Sequence, residues 1–87
     1  MKTSWECCYG LNDVTLHETF EDAFRELYRR VKEEMDNGTL SIQLLETACW
    51  IKSPDSKWPL MFYDARDRAC RSGLLKDGKI QDKGILT

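Results

Sequence analysis

One segment constrains this chain more than any other. Between Thr19 and Gly38, the apolar residues Phe20, Ala23, Phe24, Leu27, Val31 and Met35 recur at helical spacing, and charged residues such as Glu21, Asp22, Arg25, Glu26, Arg29 and Glu33 fill the intervals. That pattern predicts an amphipathic helix of roughly 25 Å with one apolar stripe to bury. Thr19 is placed to cap it, with Asp22 three residues on in a capping-box-like position. Asn37-Gly38 supplies residues that tolerate the left-handed conformation at its end. Glu21–Arg25 and Glu26–Arg30 are favourable i,i+4 pairs along its polar side.

A helix of this kind needs a partner surface, and the rest of the chain offers strands. Residues 3–11 alternate, with Trp5, Cys7, Tyr9 and Leu11 on one face and Ser4, Glu6, Cys8 and Gly10 on the other. Asn12-Asp13 then marks a loop leading to the helix. Residues 41–46 suggest a helical turn, and Thr47 to Lys52 is rich in β formers. Ser53-Pro54-Asp55-Ser56-Lys57 is a turn cluster, and Trp58 to Tyr63 reads as the return strand of a hairpin with a five-residue loop. Asp64 is the expected cap of a second helix over 65–72, closed by Gly73. Its small face of Ala65, Ala69 and Cys70 predicts close packing on a sheet. Asp77-Gly78 signals a turn before a short last strand, and residues 82–87 read as a frayed tail.

The expected fold is therefore α+β. An antiparallel sheet of three or four strands carries two helices on one face, in β-α-β-β-α-(β) order, the split β-α-β or ferredoxin-like arrangement or a truncated version of it. The chain has 87 residues, which makes one small domain, 1–87. At this size about 60–65% of the unfolded surface is buried, so there is one modest core and little material to shape a catalytic pocket.

Composition narrows function by exclusion. Thirteen Lys and Arg stand against fifteen Asp and Glu, so the net charge of −2 lacks the basic excess of a phosphate-backbone binder. No run approaches a membrane span, and residues 1–20 hold Glu6, Asp13 and Glu18 without the apolar stretch of a signal peptide. A cytoplasmic location and no membrane partner are the expectations. The four cysteines, Cys7, Cys8, Cys49 and Cys70, show no C-x-x-C spacing, and His17 is the lone histidine. They read as reduced thiols behaving as small core hydrophobes, with no metal or cofactor site. The glycines are dispersed and form no phosphate-binding loop. Nucleophilic catalysis would have to rest on His17 beside a thiol or carboxylate, and no spacing favours that.

The aromatic load is the informative feature. Three Trp, three Tyr and three Phe exceed what so small a core takes in. Two helices cover only one face of the sheet, which leaves Trp50, Trp58, Met61 and Tyr63 for the other, with Lys52 on its rim. A patch of that composition marks an interface. The expected function is a small protein-interaction module, with a protein partner or a second copy of itself as a homodimer. The reading from another class is a single-stranded nucleic-acid binder that stacks bases on Tyr9 and Phe62. A small enzyme comes third.

Overall fold

The structure is a computed structural model and describes residues 4–10 and 13–81. Strand β1, Trp5–Tyr9, forms where the alternation predicts it. It is an inner strand, with β2, Val14–His17, on one side and β3, Cys49–Lys52, on the other. Strand β4, Leu60–Met61, pairs with β3, so the sheet runs β2-β1-β3-β4 with every neighbour antiparallel.

Helix α1, Phe20–Asn37, starts as its sequence dictates. The Thr19 hydroxyl accepts a hydrogen bond from the Asp22 amide at 3.1 Å. Gly38 takes φ 74° and donates to the Met35 carbonyl, while the Thr39 amide reaches back to Glu34, which satisfies carbonyls the helix would otherwise leave open. Five of the six stripe residues are buried. Met35, in the last turn, is 57% exposed. Helix α2, Ile42–Thr47, is the expected helical turn, capped by Ser41, whose hydroxyl accepts from Leu44.

Helix α3 spans Phe62–Ser72, starting three residues earlier than the capping pattern suggests. Its N-cap is Met61, whose side chain makes no capping hydrogen bond, and Asp64 sits in the first turn, where its charge suits the helix dipole. The return strand expected over 58–63 is accordingly cut to Leu60–Met61. Gly73 closes α3 at φ 83°, with Leu74 and Leu75 buried behind it.

The chain order is β-β-α-α-β-β-α-β-β, larger than expected in two places. Residues 14–17, assigned to a loop on sequence grounds, are the fourth strand of the sheet. The C-terminal region supplies no strand to that sheet, and folds into its own hairpin of β5, Leu75–Lys76, and β6, Lys79–Ile80. The tail expected over 82–87 lies outside the described residues.

All three helices pack on the same side of the sheet. One cluster joins Cys7 of β1, Cys49 and Ile51 of β3, five residues of α1, Leu45 of α2, and Phe62, Ala65 and Ala69 of α3. Phe20, Phe24 and Tyr28 stack along α1 with ring centres 5.9 and 5.5 Å apart, and Trp5 sets its edge on Phe20 at 5.7 Å.

Candidate functional site

In an antiparallel sheet, residues directly opposite each other share a face. The register therefore sorts the strands without ambiguity. Thr15, Cys7, Ile51 and Leu60 form one row across the four strands, and the burial of Cys7 and Ile51 marks it as the helix side. Val14, Cys8, Trp50 and Met61 form a row on the other side, next to Leu16, Glu6 and Lys52.

This outer face is energetically apart from the core. Val14, Leu16, Trp50 and Met61 neither belong to the core cluster nor pack against it. Leu16 is 66% exposed and Val14 46%, while Trp50, Lys52 and Met61 are half-buried among one another and their neighbours. Glu6 and Lys52 stand opposite each other at the end of the face nearer Leu16. Cys8 is buried although no helix covers it. It lies between Val14 and Trp50, and its thiol donates to the Gly10 carbonyl at 2.9 Å. Burial pushes its pKa up.

Of the five expected partner-binding residues, the structure brings Trp50, Lys52 and Met61 together on this face. Trp58 is in the β3–β4 loop and is 80% exposed. Tyr63 departs from the expectation. Alternation along a strand would have put it beside Met61, but α3 has begun by then, and its ring lies against Phe62 and beneath the Arg66 guanidinium at 5.2 Å. Val14 and Leu16 were missed on sequence grounds. Their signal was the alternation of Val-Thr-Leu-His, too short to stand out between Asp13 and Glu18.

The rings considered for base stacking are turned elsewhere. Phe62 is buried in the core, and Tyr9 packs against that core beneath Arg30. Trp5 is likewise on the helix side, where the Arg68 guanidinium lies 5.3 Å from its ring and 4.3 Å from that of Phe20.

His17 Nε2 meets the Thr15 hydroxyl at 2.7 Å on the helix side. Burial is the main cause that pushes the Cys7 and Cys49 thiols up to about 11, the reverse of what an attacking thiolate needs. Among the described residues no group of His, Cys, Asp and Glu is arranged to hold a metal ion, and no helix is long and apolar enough to cross a membrane. A groove between α1 and the β5–β6 hairpin is lined by Arg25, Arg29, Lys32 and Lys79, but also by Glu33 and Asp36, and both arginines already pair with acids of α1. Comparison with known proteins finds no matching family model, no similar curated protein and no similar solved structure.

Proposed function

We propose that this chain is a small protein-interaction module that docks a partner protein on the outer face of its sheet, with Trp50 as the anchor. One observation carries the reading: Val14, Leu16, Trp50 and Met61 share the face away from all three helices and take no part in the core. Side chains that contribute nothing to the core yet form one apolar surface are those a partner desolvates. Trp is the residue type most often dominant in such contacts, and a charged rim of Glu6 and Lys52 would set orientation more than affinity. The module acts by occlusion or scaffolding and needs no cofactor. Its four free thiols suit a reducing compartment such as the cytoplasm.

The test is capture from a native lysate with wild-type and Trp50→Ala baits, each with and without nuclease. The reading expects a stoichiometric protein that survives nuclease and is lost with Trp50→Ala, while the variant keeps the wild-type circular dichroism. Unfolding of Trp50→Ala would make Trp50 a core residue and remove the basis of the proposal. Material that vanishes with nuclease would transfer the function to single-stranded nucleic acid.

A further inference from the structure

We infer that the chain pairs with a second copy of itself, edge to edge through β2, and so doubles the outer face on which the proposed partner docks. This deepens the reading of the outer face and rests on it, since the residues that meet are the outer-face residues of β2.

The two ends of the sheet are not alike. β4 is two residues long, follows Pro59 and runs straight into α3, so little of it is open to another strand. Short edges and proline are common ways of blocking unwanted pairing. β2 has neither proline nor lysine, and nothing among the described residues pairs with its outer side.

The ladder also fixes which backbone groups point outward. The Tyr9 amide donates to the Asp13 carbonyl at 3.0 Å, in line with the β1–β2 register. Antiparallel pairs alternate between bonded and non-bonded. Cys7–Thr15 and Trp5–His17 are therefore the bonded pairs, and Val14 and Leu16 aim their N–H and C=O groups away from β1. The other side of β1 agrees: the Gly10 amide donates to Ala48, so Cys8 and Glu6 bond toward β3. Val14 and Leu16 thus carry both the open backbone groups and the exposed apolar side chains of the edge.

A two-fold axis perpendicular to the sheet, midway between Thr15 and Thr15 of the second copy, satisfies both sets at once. Val14 then lies opposite Leu16 of the second copy, and each such pair exchanges two backbone hydrogen bonds. Asp13, whose carboxylate pairs with Arg30, falls opposite His17 of the second copy, so no like charges meet there. A shift of the register by two residues would instead set Val14 against Glu18, an apolar side chain against a carboxylate. In the favoured register the two sheets become one of eight strands. Their outer faces lie on the same side, with the Val14 and Leu16 side chains of both copies bridging the two Trp50 patches.

The experiment combines sedimentation equilibrium with residue-resolved amide hydrogen exchange, both over a range from a few micromolar to about 1 mM, where association must show as concentration dependence. The expected result is a dimer at the upper end, with the Val14 and Leu16 amides protected about ten-fold more there than at the lower end. The Thr15 and His17 amides, bonded to β1 at every concentration, stay unchanged. Leu16→Pro deletes an outward donor without removing any β1–β2 bond, and is expected to weaken the dimer at least about ten-fold. Leu16→Lys keeps the amide but puts a charge in the stripe; it gives the same loss if the proline variant does not fold. A chain that stays monomeric throughout overturns the inference and leaves a single outer face for the partner protein, which the Trp50→Ala capture tests. A dimer that Trp50→Ala abolishes, but whose Val14 and Leu16 amides exchange as in the monomer, overturns the edge pairing while supporting the face.

Discussion

Cys8 and Trp50 stand directly opposite each other across β1 and β3, on the sheet face that carries no helix. Cys8 is only 3% exposed there, so the half-buried indole and the neighbouring Val14 are its cover. Trp50→Ala should uncover it. Alkylation of Cys8, mapped by mass spectrometry with the exposed Cys70 as internal reference, should speed up about ten-fold as solvent reaches the thiol. The stability loss should be about 1–2 kcal/mol, below the ~3–5 kcal/mol of a fully buried large aromatic, because Trp50 stands outside the core cluster. An unchanged Cys8 rate would show that some other group shields it.

The same pair shows how far sequence alone reaches. Cys8 and Trp50 are put on the outer face by alternation, because a period of two is readable over five residues of β1 and over Thr47 to Lys52. The stripe of α1 is readable for the same reason at a period of 3.6. Val14 and Leu16 are not, because four residues flanked by Asp13 and Glu18 carry too short a pattern, and β2 exists by pairing with β1. Tyr63 is misplaced because Asp64 looks like a cap. Local capping preference yields there to the burial of Phe62, which draws the helix start back to residue 62. Candidate site residues were therefore legible where strands were long and hidden where tertiary pairing defined the element.

Cys7 and Cys49 make stability fall at high pH. Both thiols rise from an ordinary value of 9.0 to about 11 in the folded chain, with burial as the main cause. The unfolded chain therefore gives up these protons first. Their contribution is intact below pH 9 and is lost as pH climbs from 9 through about 11. The slope in that window should approach about 1.4 kcal/mol per pH unit for each thiol. Urea midpoints at pH 8, 9.5 and 10.5 measure it, and Cys49→Ala should make the dependence shallower without abolishing it, because Cys7 remains and the buried Cys8 thiol is raised as well. A midpoint constant across the series contradicts the assignment.

Arg68 ties three elements together through rings rather than acids. Its guanidinium, carried by α3, lies 4.3 Å from the Phe20 ring centre on α1 and 5.3 Å from that of Trp5 on β1. Arg68 itself is exposed, so Arg68→Ala should cost about 0.5–1 kcal/mol. Arg68→Lys should recover only part of this, because an ammonium lacks the flat surface that stacks on an aromatic ring. Chemical denaturation of the three proteins tests the ranking, and equal stability of the lysine and arginine forms would reduce the contact to simple charge.

Tyr28 fastens the C-terminal hairpin to α1. Its hydroxyl donates to the Gly78 carbonyl at 2.7 Å, at the tip of the turn where Asp77 and Gly78 both adopt positive φ. A hairpin with two residues in each strand is marginal by itself, so its order depends on such ties and on Leu75 beneath it. Tyr28→Phe keeps the ring stacked on Phe24 and removes only the hydroxyl. The Gly78 carbonyl then turns to water, and the net cost should be about 0.5–1 kcal/mol, confined to the hairpin. The sensitive probe is the Gln81 amide, which donates to Leu74 at 2.7 Å and closes the base of the hairpin. Its hydrogen exchange should quicken several-fold in Tyr28→Phe, while amides in the middle of α1, such as those of Leu27 and Val31, keep their wild-type rates. A uniform acceleration across the chain would mean that the hydroxyl supports the whole fold, and no acceleration at Gln81 would mean that Leu75 alone holds the hairpin in place.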